Sequence, residues 1–292
     1  MGSAMAKKNV MLNVVFLNGA EGSVGTATGG ASGGSGGSKY DAVMMDGMTI
    51  RDYPNETIPY TIDTSKMTNM RNLFYTGSFY NAKLKSIPKL DTSNVTDMRY
   101  MFYNCGVLES IPKLDTSNVT NMEYMFYCCF GLTTIPQLDT RKVINMKSMF
   151  CGYQTYSKLK SIPKLDTSNV TDMRDTFNDC QKLTTIQELD MSSISVCSNI
   201  FANCNLLTYI VIKNLGKGPL GGKSAYAFSG ATNWGTGSDE NRQSLIDSLI
   251  TYSYDRASNG MAATYISLSA NTKALLTEEE IAQITAKGFT IS

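Results

Sequence analysis

Apolar residues return along this chain at one long period, not at the spacing of about 2 or 3.6 residues that marks a single strand or helix. The run Leu90-Asp-Thr-Ser-Asn-Val-Thr-Asp-Met-Arg-Tyr-Met-Phe102 recurs at Leu114–Phe126 and Leu165–Phe177, and more loosely at Ile62–Phe74, Leu138–Phe150 and Leu189–Phe201. Its last position forms a column, Phe74, Phe102, Phe126, Phe150, Phe177 and Phe201, with spacings of 28, 24, 24, 27 and 24. The period is therefore 24, with four extra residues in Gly77–Leu84 and three in Gly152–Leu159. A second column runs through Ile87, Ile111, Ile135, Ile162, Ile186 and Ile210. No unit has a core of its own, so the columns predict copies stacked on one another.

Within a unit, Leu84-Lys-Ser-Ile-Pro-Lys-Leu90 places an apolar residue at every third position around a proline. That fits neither a helix nor a hairpin strand; it predicts a short extended segment leading into a corner. Asp91-Thr-Ser-Asn is turn chemistry, with side chains able to hold nearby backbone groups. Thr96 stands where a helix N-cap would, and Met98, Met101 and Phe102 follow at helical spacing.

The form L-D-T-S-N-V-T-x-M-x-x-M-F-x-x-C, as in Leu114–Cys129, resembles the BspA-like leucine-rich repeat family of bacterial surface proteins. The resemblance covers roughly residues 60–213; such repeats also occur in phage and prophage proteins. It implies an α/β repeat fold, a curved right-handed leucine-rich-repeat solenoid, displayed outside a cell and used for adhesion. Repeat 4 departs from the pattern at Arg141, Lys142 and Ile144, and repeat 6 at Cys197 and Ile200. Atypical final units suit a position beside a cap.

The flanks complete the expected organisation. Residues 1–18 read as a tag plus an N-terminal strand: Met1-Gly-Ser-Ala is a cloning remnant before Met5, and Asn9–Leu17 is the strand. Asn13 interrupts the apolar run after Lys7-Lys8 and no A-x-A site follows, so the leader pattern of a signal peptide is not met. Residues 19–38 are a Gly/Ser-rich linker with nine glycines, a flexible tether. Residues 39–61 form an N-terminal cap, 62–213 the repeats (about six), and 214–292 a small α+β C-terminal cap. In that cap, Ser238-Asp-Glu-Asn predicts a capped helix over 239–255. Ala263–Ser269 alternates like a strand, Thr277-Glu-Glu-Glu280 is a capping box, and Phe289–Ser292 is a last short strand.

Composition narrows the chemistry. Lys and Arg number 26 against 25 Asp and Glu, for a net charge of +1, which argues against an electrostatic nucleic-acid binder. There is no histidine, which removes Ser-His-Asp and Cys-His catalysis and histidine metal sites. Nowhere do about 18 apolar residues run together, so no membrane insertion is expected. No nucleophile–base pair, phosphate loop or metal constellation is visible, so no enzyme activity, cofactor or metal is expected.

Four columns remain as candidate chemistry. Asp63, Asp91, Asp115, Asp139, Asp166 and Asp190 could ladder a cation, but the Thr and Ser that follow them favour turn capping. Cys105, Cys129, Cys180 and Cys204 share one position; they read as buried free thiols, with disulfides on adjacent rungs as the sharper alternative. Lys89, Lys113 and Lys164 form a basic row that reads as a solvated face. Tyrosine is the most suggestive: Tyr75, Tyr103 and Tyr127 follow the Phe directly, Tyr100 and Tyr124 share a second position, and Tyr80, Tyr153 and Tyr156 sit at the insertions. Covering the core rim is the plain reading; a recognition surface is the functional one.

The function expected is recognition or adhesion, binding a protein or glycan on a host-cell surface, from an extracellular, cell-surface or virion location. The alternative is a structural surface-layer or phage-particle component with no ligand of its own. The strand at 9–17 either returns to cap the next domain or docks on a particle or partner protein by adding to its sheet edge. The tether has no means of packing, so deleting residues 1–38 should leave the melting temperature within about a degree of the full chain. A large drop in a thermal melt would show that the strand is an integral part of the fold.

Overall fold

The computed structural model describes residues 42–50, 56–58, 61–78, 82–153, 156–218 and 226–292. The strand expected at 9–17, the linker at 19–38 and Tyr80 lie outside them, and the cap at 39–61 is described only in part.

The repeats lie on one another in parallel. Single bridges join Asn69 to Asp97, Asp97 to Asn121, Asn121 to Asn145, Asn145 to Asp172 and Asp172 to Val196. Strand β1 (Ala42–Val43) pairs with β2 (Ile62–Asp63) at the start, and β3 (Thr185–Asp190) with β4 (Tyr209–Lys213) at the end.

This differs from the α/β repeat, the right-handed leucine-rich-repeat solenoid, expected from the sequence. Among the described residues the repeats contain no α-helix, and their parallel pairing amounts to those two short sheets and isolated bridges. The backbone gives the reason. Tyr100 and Asn104 sit in the left-handed region, at φ 58° and 62°, where a right-handed helix cannot continue. The N–H groups of Met98, Tyr100, Phe102 and Asn104 donate to Asn121, Glu123, Met125 and Tyr127 of the next repeat, at 2.9–3.1 Å. Donors used that way are lost to i−4 bonding. What remains inside the unit is a run of three overlapping turns, Met101 N–H to Met98 O, Tyr103 N–H to Tyr100 O and Cys105 N–H to Phe102 O. Met98, Met101 and Phe102 are fully buried even so.

The Phe column is the spine of the core. Phe74, Phe102, Phe126, Phe150, Phe177 and Phe201 stack with centroids 5.4, 5.4, 5.6, 5.6 and 5.8 Å apart and planes within 13° of parallel. Two polar columns lock the register from inside. Thr116 Oγ1 accepts from the Asp139 N–H at 2.7 Å and donates to the Asp139 carbonyl at 2.9 Å; Thr64, Thr140 and Thr167 make the same pair of bonds to Asp91, Asp166 and Asp190. The thiols of Cys105, Cys129, Cys180 and Cys204 donate to the carbonyls of Phe74, Phe102, Phe150 and Phe177 at 3.0–3.1 Å. All seven cysteines are free.

The C-terminal segment covers the last rung. Helix α1 (Asp239–Ile246) is capped by Ser238, which accepts from the Asn241 N–H, and passes into a π-helical turn at Asp247–Thr251. The helix expected over 239–255 is shorter because this turn diverts it. The turn brings buried Ser248 against the outer edge of β4, where its hydroxyl accepts from the Ile212 N–H at 2.8 Å. Trp234 Nε1 donates to Ile210 O on the same strand. Strand β5 (Tyr226–Ala227), β6 (Thr264–Ser267) and β7 (Phe289–Ile291) form a parallel sheet, flanked by α2 (Ala270–Lys273) and α3 (Glu278–Ala286). Both halves of the Thr277–Glu280 capping box are present.

Because Phe126 is buried in the core shared by the stacked repeats, Phe126→Ala should cost about 3–5 kcal/mol in denaturant unfolding. A loss below about 1 kcal/mol would show that the column is not the core.

Candidate functional site

The turns that replace the expected helices also aim the tyrosines. In these repeats, overlapping turns send some side chains to the core and others to one outer face. Met98, Met101 and Phe102 point in, whereas Arg99, Tyr100 and Tyr103 remain half-buried at the surface. The in-register stacking then places each of these above its equivalent in the next repeat.

Five of the eight candidate tyrosines come together. Tyr75, Tyr103 and Tyr127 stack in one row, with centroids 5.3 and 4.7 Å apart. Tyr100 and Tyr124 stack in a second row at 4.9 Å. The rows meet at an angle: Tyr100 tilts against Tyr103 at 5.5 Å, and Tyr103 meets Tyr124 at 6.1 Å and Tyr124 meets Tyr127 at 5.5 Å edge to face. The row ends at Tyr127 because the position after Phe150 is Cys151. Tyr153 and Tyr156 are 42% and 47% exposed at the second insertion, and Tyr156 packs on Phe130. Tyr80 lies outside the described residues.

Two residues that the sequence did not single out complete the face. The Arg71 guanidinium lies over the Tyr100 ring, 5.6 Å from its centroid, and Lys147 lies over Tyr124 at 5.1 Å. The short row therefore reads Arg71, Tyr100, Tyr124, Lys147, cation to cation. The only sequence signal for it is a basic residue one column before the tyrosine column, in the neighbouring repeat. Arg99 is held by both oxygens of Asp97, and Lys147 pairs with Glu123 at 3.5 Å. Burial pushes the Tyr103 hydroxyl up to about 12 and raises Tyr127 and Tyr100 as well, so these phenols stay neutral donors and acceptors.

Backbone strain marks two of these rings. Tyr100 and Tyr124 sit at φ 58° and 56°. The same column holds Asn72, Ser148, Asp175 and Asn199 in the other repeats, all left-handed too. Asn and Asp tolerate that region through their short polar side chains; a bulky ring there costs about 1–2 kcal/mol.

The other candidate columns resolve differently. The Lys row borders an open groove of about 1510 Å³ whose lining includes Lys89, Lys113 and Lys164 and also Asp91, Asp115 and Asp166. Its charges are largely committed: Asp91, Asp115 and Asp166 each accept from the backbone N–H and hydroxyl of the serine two residues on, and Lys164 pairs with Glu188 at 3.2 Å. Those serine bonds hold the Asp91 and Asp115 carboxyls below their ordinary value. No cluster of three potential metal ligands occurs among the described residues.

Burial pushes the thiols of Cys105, Cys128, Cys197 and Cys204 up to about 12. At pH 8 their thiolate fraction is about one in ten thousand, so a disulfide reagent should leave them unlabelled until denaturant is added. Fast labelling of the native protein would show that the core around these thiols opens.

A family described as "Mycoplasma protein of unknown function, DUF285" matches the chain twice, over residues 50–134 and 130–213. No curated protein and no solved structure matches it significantly.

Proposed function

The chain belongs to this repeat-containing family, matched over more than half its length, and on that premise we propose that it is a non-enzymatic recognition and adhesion module of BspA-like kind, holding a protein or glycan on a cell surface through its tyrosine face. The observation that carries the reading is the pair of strained rings. Asn or Ser fills the left-handed position in three other repeats without a bulky Cβ substituent to accommodate, yet Tyr stands there in two adjacent ones. Strain kept where a simpler residue would fold as well is a mark of function. The strained pair lies inside the five-ring cluster, and tyrosine supplies large, rigid contact area at low entropy cost. An extracellular, cell-surface or virion location accords with this role.

The test separates fold from recognition. Replacing both Tyr100 and Tyr124 by Asn relieves left-handed strain at two positions, about 1–2 kcal/mol each, while removing their mutual stack, their contacts to Tyr103 and Tyr127, at about 0.5–1.5 kcal/mol per ring pair, and the Arg71 and Lys147 contacts. These losses and gains are of the same order and lie outside the Phe core, so the double variant should stay folded and unfold in one cooperative transition. On an array of immobilised glycans and cell-surface proteins it should lose every feature the wild type retains. Retention unchanged in a well-folded double variant would overturn the reading.

A further inference from the structure

Cys128 occupies a backbone position that favours other residues. Its φ is 56°, in the left-handed region. Asn104, Asp179 and Asn203 hold the equivalent position in other repeats, at φ 62°, 60° and 60°. Asn and Asp tolerate that region through short polar side chains that bond locally, an advantage cysteine lacks. Backbone strain of this kind is kept where it serves a purpose.

The residue facing it is a second cysteine. The Cys128 N–H donates to the Cys151 carbonyl at 2.9 Å, so the two residues lie against each other on adjacent rungs. Their thiols converge on one acceptor, the Gly152 carbonyl, 3.9 Å from Cys128 Sγ and 3.5 Å from Cys151 Sγ. The same column brings side chains of adjacent rungs within bonding distance elsewhere: Asn203 Nδ2 donates to Asp179 Oδ1 at 2.8 Å. A rung spacing of about 4.8 Å falls inside the range of about 4.4–6.8 Å between disulfide-linked Cα atoms. Both residues are buried free thiols.

The other five thiols are placed differently. Cys105, Cys129, Cys180 and Cys204 each donate to a separate Phe carbonyl of the preceding rung, so no two of them share an acceptor. Cys197 fills the core position that Met98 and Met173 hold in their repeats.

We propose that Cys128 and Cys151 are a disulfide-forming pair, joined across adjacent rungs when the chain folds in the presence of a small-molecule disulfide such as oxidised glutathione. In the unfolded chain both thiols are open to exchange. One thiolate attacks the glutathione disulfide and expels a glutathione thiolate. The second attacks the resulting mixed disulfide at the protein sulfur and expels the other glutathione. The two protein thiols give up two protons and two electrons, and oxidised glutathione is reduced to two thiols. The link spans one repeat and lies beside the tyrosine face, because Cys151 follows Phe150 as Tyr127 follows Phe126. The pairing is independent of what that face binds.

The experiment refolds the full chain from denaturant in a glutathione redox buffer, alkylates the remaining thiols in denaturant and maps the links by mass spectrometry of unreduced peptides. The expected product carries one link, Cys128 to Cys151, with the other five cysteines alkylated. Thermal melts of wild type and Cys128→Asn, with and without reductant, give a second readout. With reductant the variant, whose asparagine suits the left-handed turn, should melt at or above the wild type. After oxidative refolding the wild type should melt several degrees higher than the variant, because the link restricts the unfolded chain. No link, a link within the Cys105 column, or glutathione adducts in place of a link would overturn the proposal. So would a variant that melts below the wild type by the same margin in both conditions, since Cys128 would then serve packing alone.

Discussion

The structure depends on backbone N–H groups in one repeat being taken by carbonyls in the next. Tyr100, Phe102 and Asn104 donate forward to Glu123, Met125 and Tyr127, and Tyr124 and Phe126 repeat the pattern to Lys147 and Met149. A donor that reaches the neighbouring rung is unavailable to its own, so a helix and this stacking exclude each other within one stretch of chain. The choice between them is made by residues that enter the left-handed region, and it fixes everything outward from there. With the bonds formed between rungs, the period must be kept. With the period kept, Phe falls on Phe and buried Thr on the backbone of the following Asp, where an unmet N–H would cost about 1–3 kcal/mol.

The sequence carried part of this plainly. Columns of Phe and Ile at period 24 announced stacking, Asp-Thr-Ser announced turns, and Ser238 and the Thr277–Glu280 box announced the two longer C-terminal helices. The helix expected after Thr96 was illegible for a definite reason. Apolar residues at i, i+3 and i+4 fit one helical turn, but the overlapping i→i−3 turns seen here bury the same positions. What distinguishes them is the φ of Tyr100 and Asn104, and a tyrosine gives no warning of a left-handed backbone. Asn104 does, being a residue that tolerates that region, and a column of Asn, Ser and Asp around the tyrosines carries the same hint.

The candidate site was legible at the level of columns and not at the level of contacts. Equal spacing put Tyr75, Tyr103 and Tyr127 in one row and Tyr100 and Tyr124 in another. That the rows interlock at an angle depends on the turn between positions 100 and 103, which the helical reading would have drawn differently. Arg71 and Lys147 were invisible because each acts on a ring in the neighbouring repeat, a relation that appears only once the rungs are laid in register. Tyr153 and Tyr156 drew notice as insertion residues, yet they fall where the tyrosine column has already given way to Cys151.

The same regularity that builds the core governs what the surface can read. A stack with one side chain per rung cannot present an isolated pocket; whatever it shows at one position it shows again about 5 Å further on, unless the sequence breaks the column. Most columns here are broken or balanced. The row that includes Arg99 turns acidic at Glu123, and the Lys row is interrupted by Gln137 and answered by Glu188. One tyrosine row runs through three repeats and the other through two before they stop, so they cover a finite part of the surface. Their length follows from where Tyr gives way to Cys151 and Ser148, two substitutions that leave the backbone path unchanged: Ser148 keeps the left-handed turn, and the Cys151 carbonyl still accepts from Cys128. Fold and recognition are thus separable along this chain: the inward columns and left-handed turns hold the rungs, and the outward columns can change residue by residue without disturbing them.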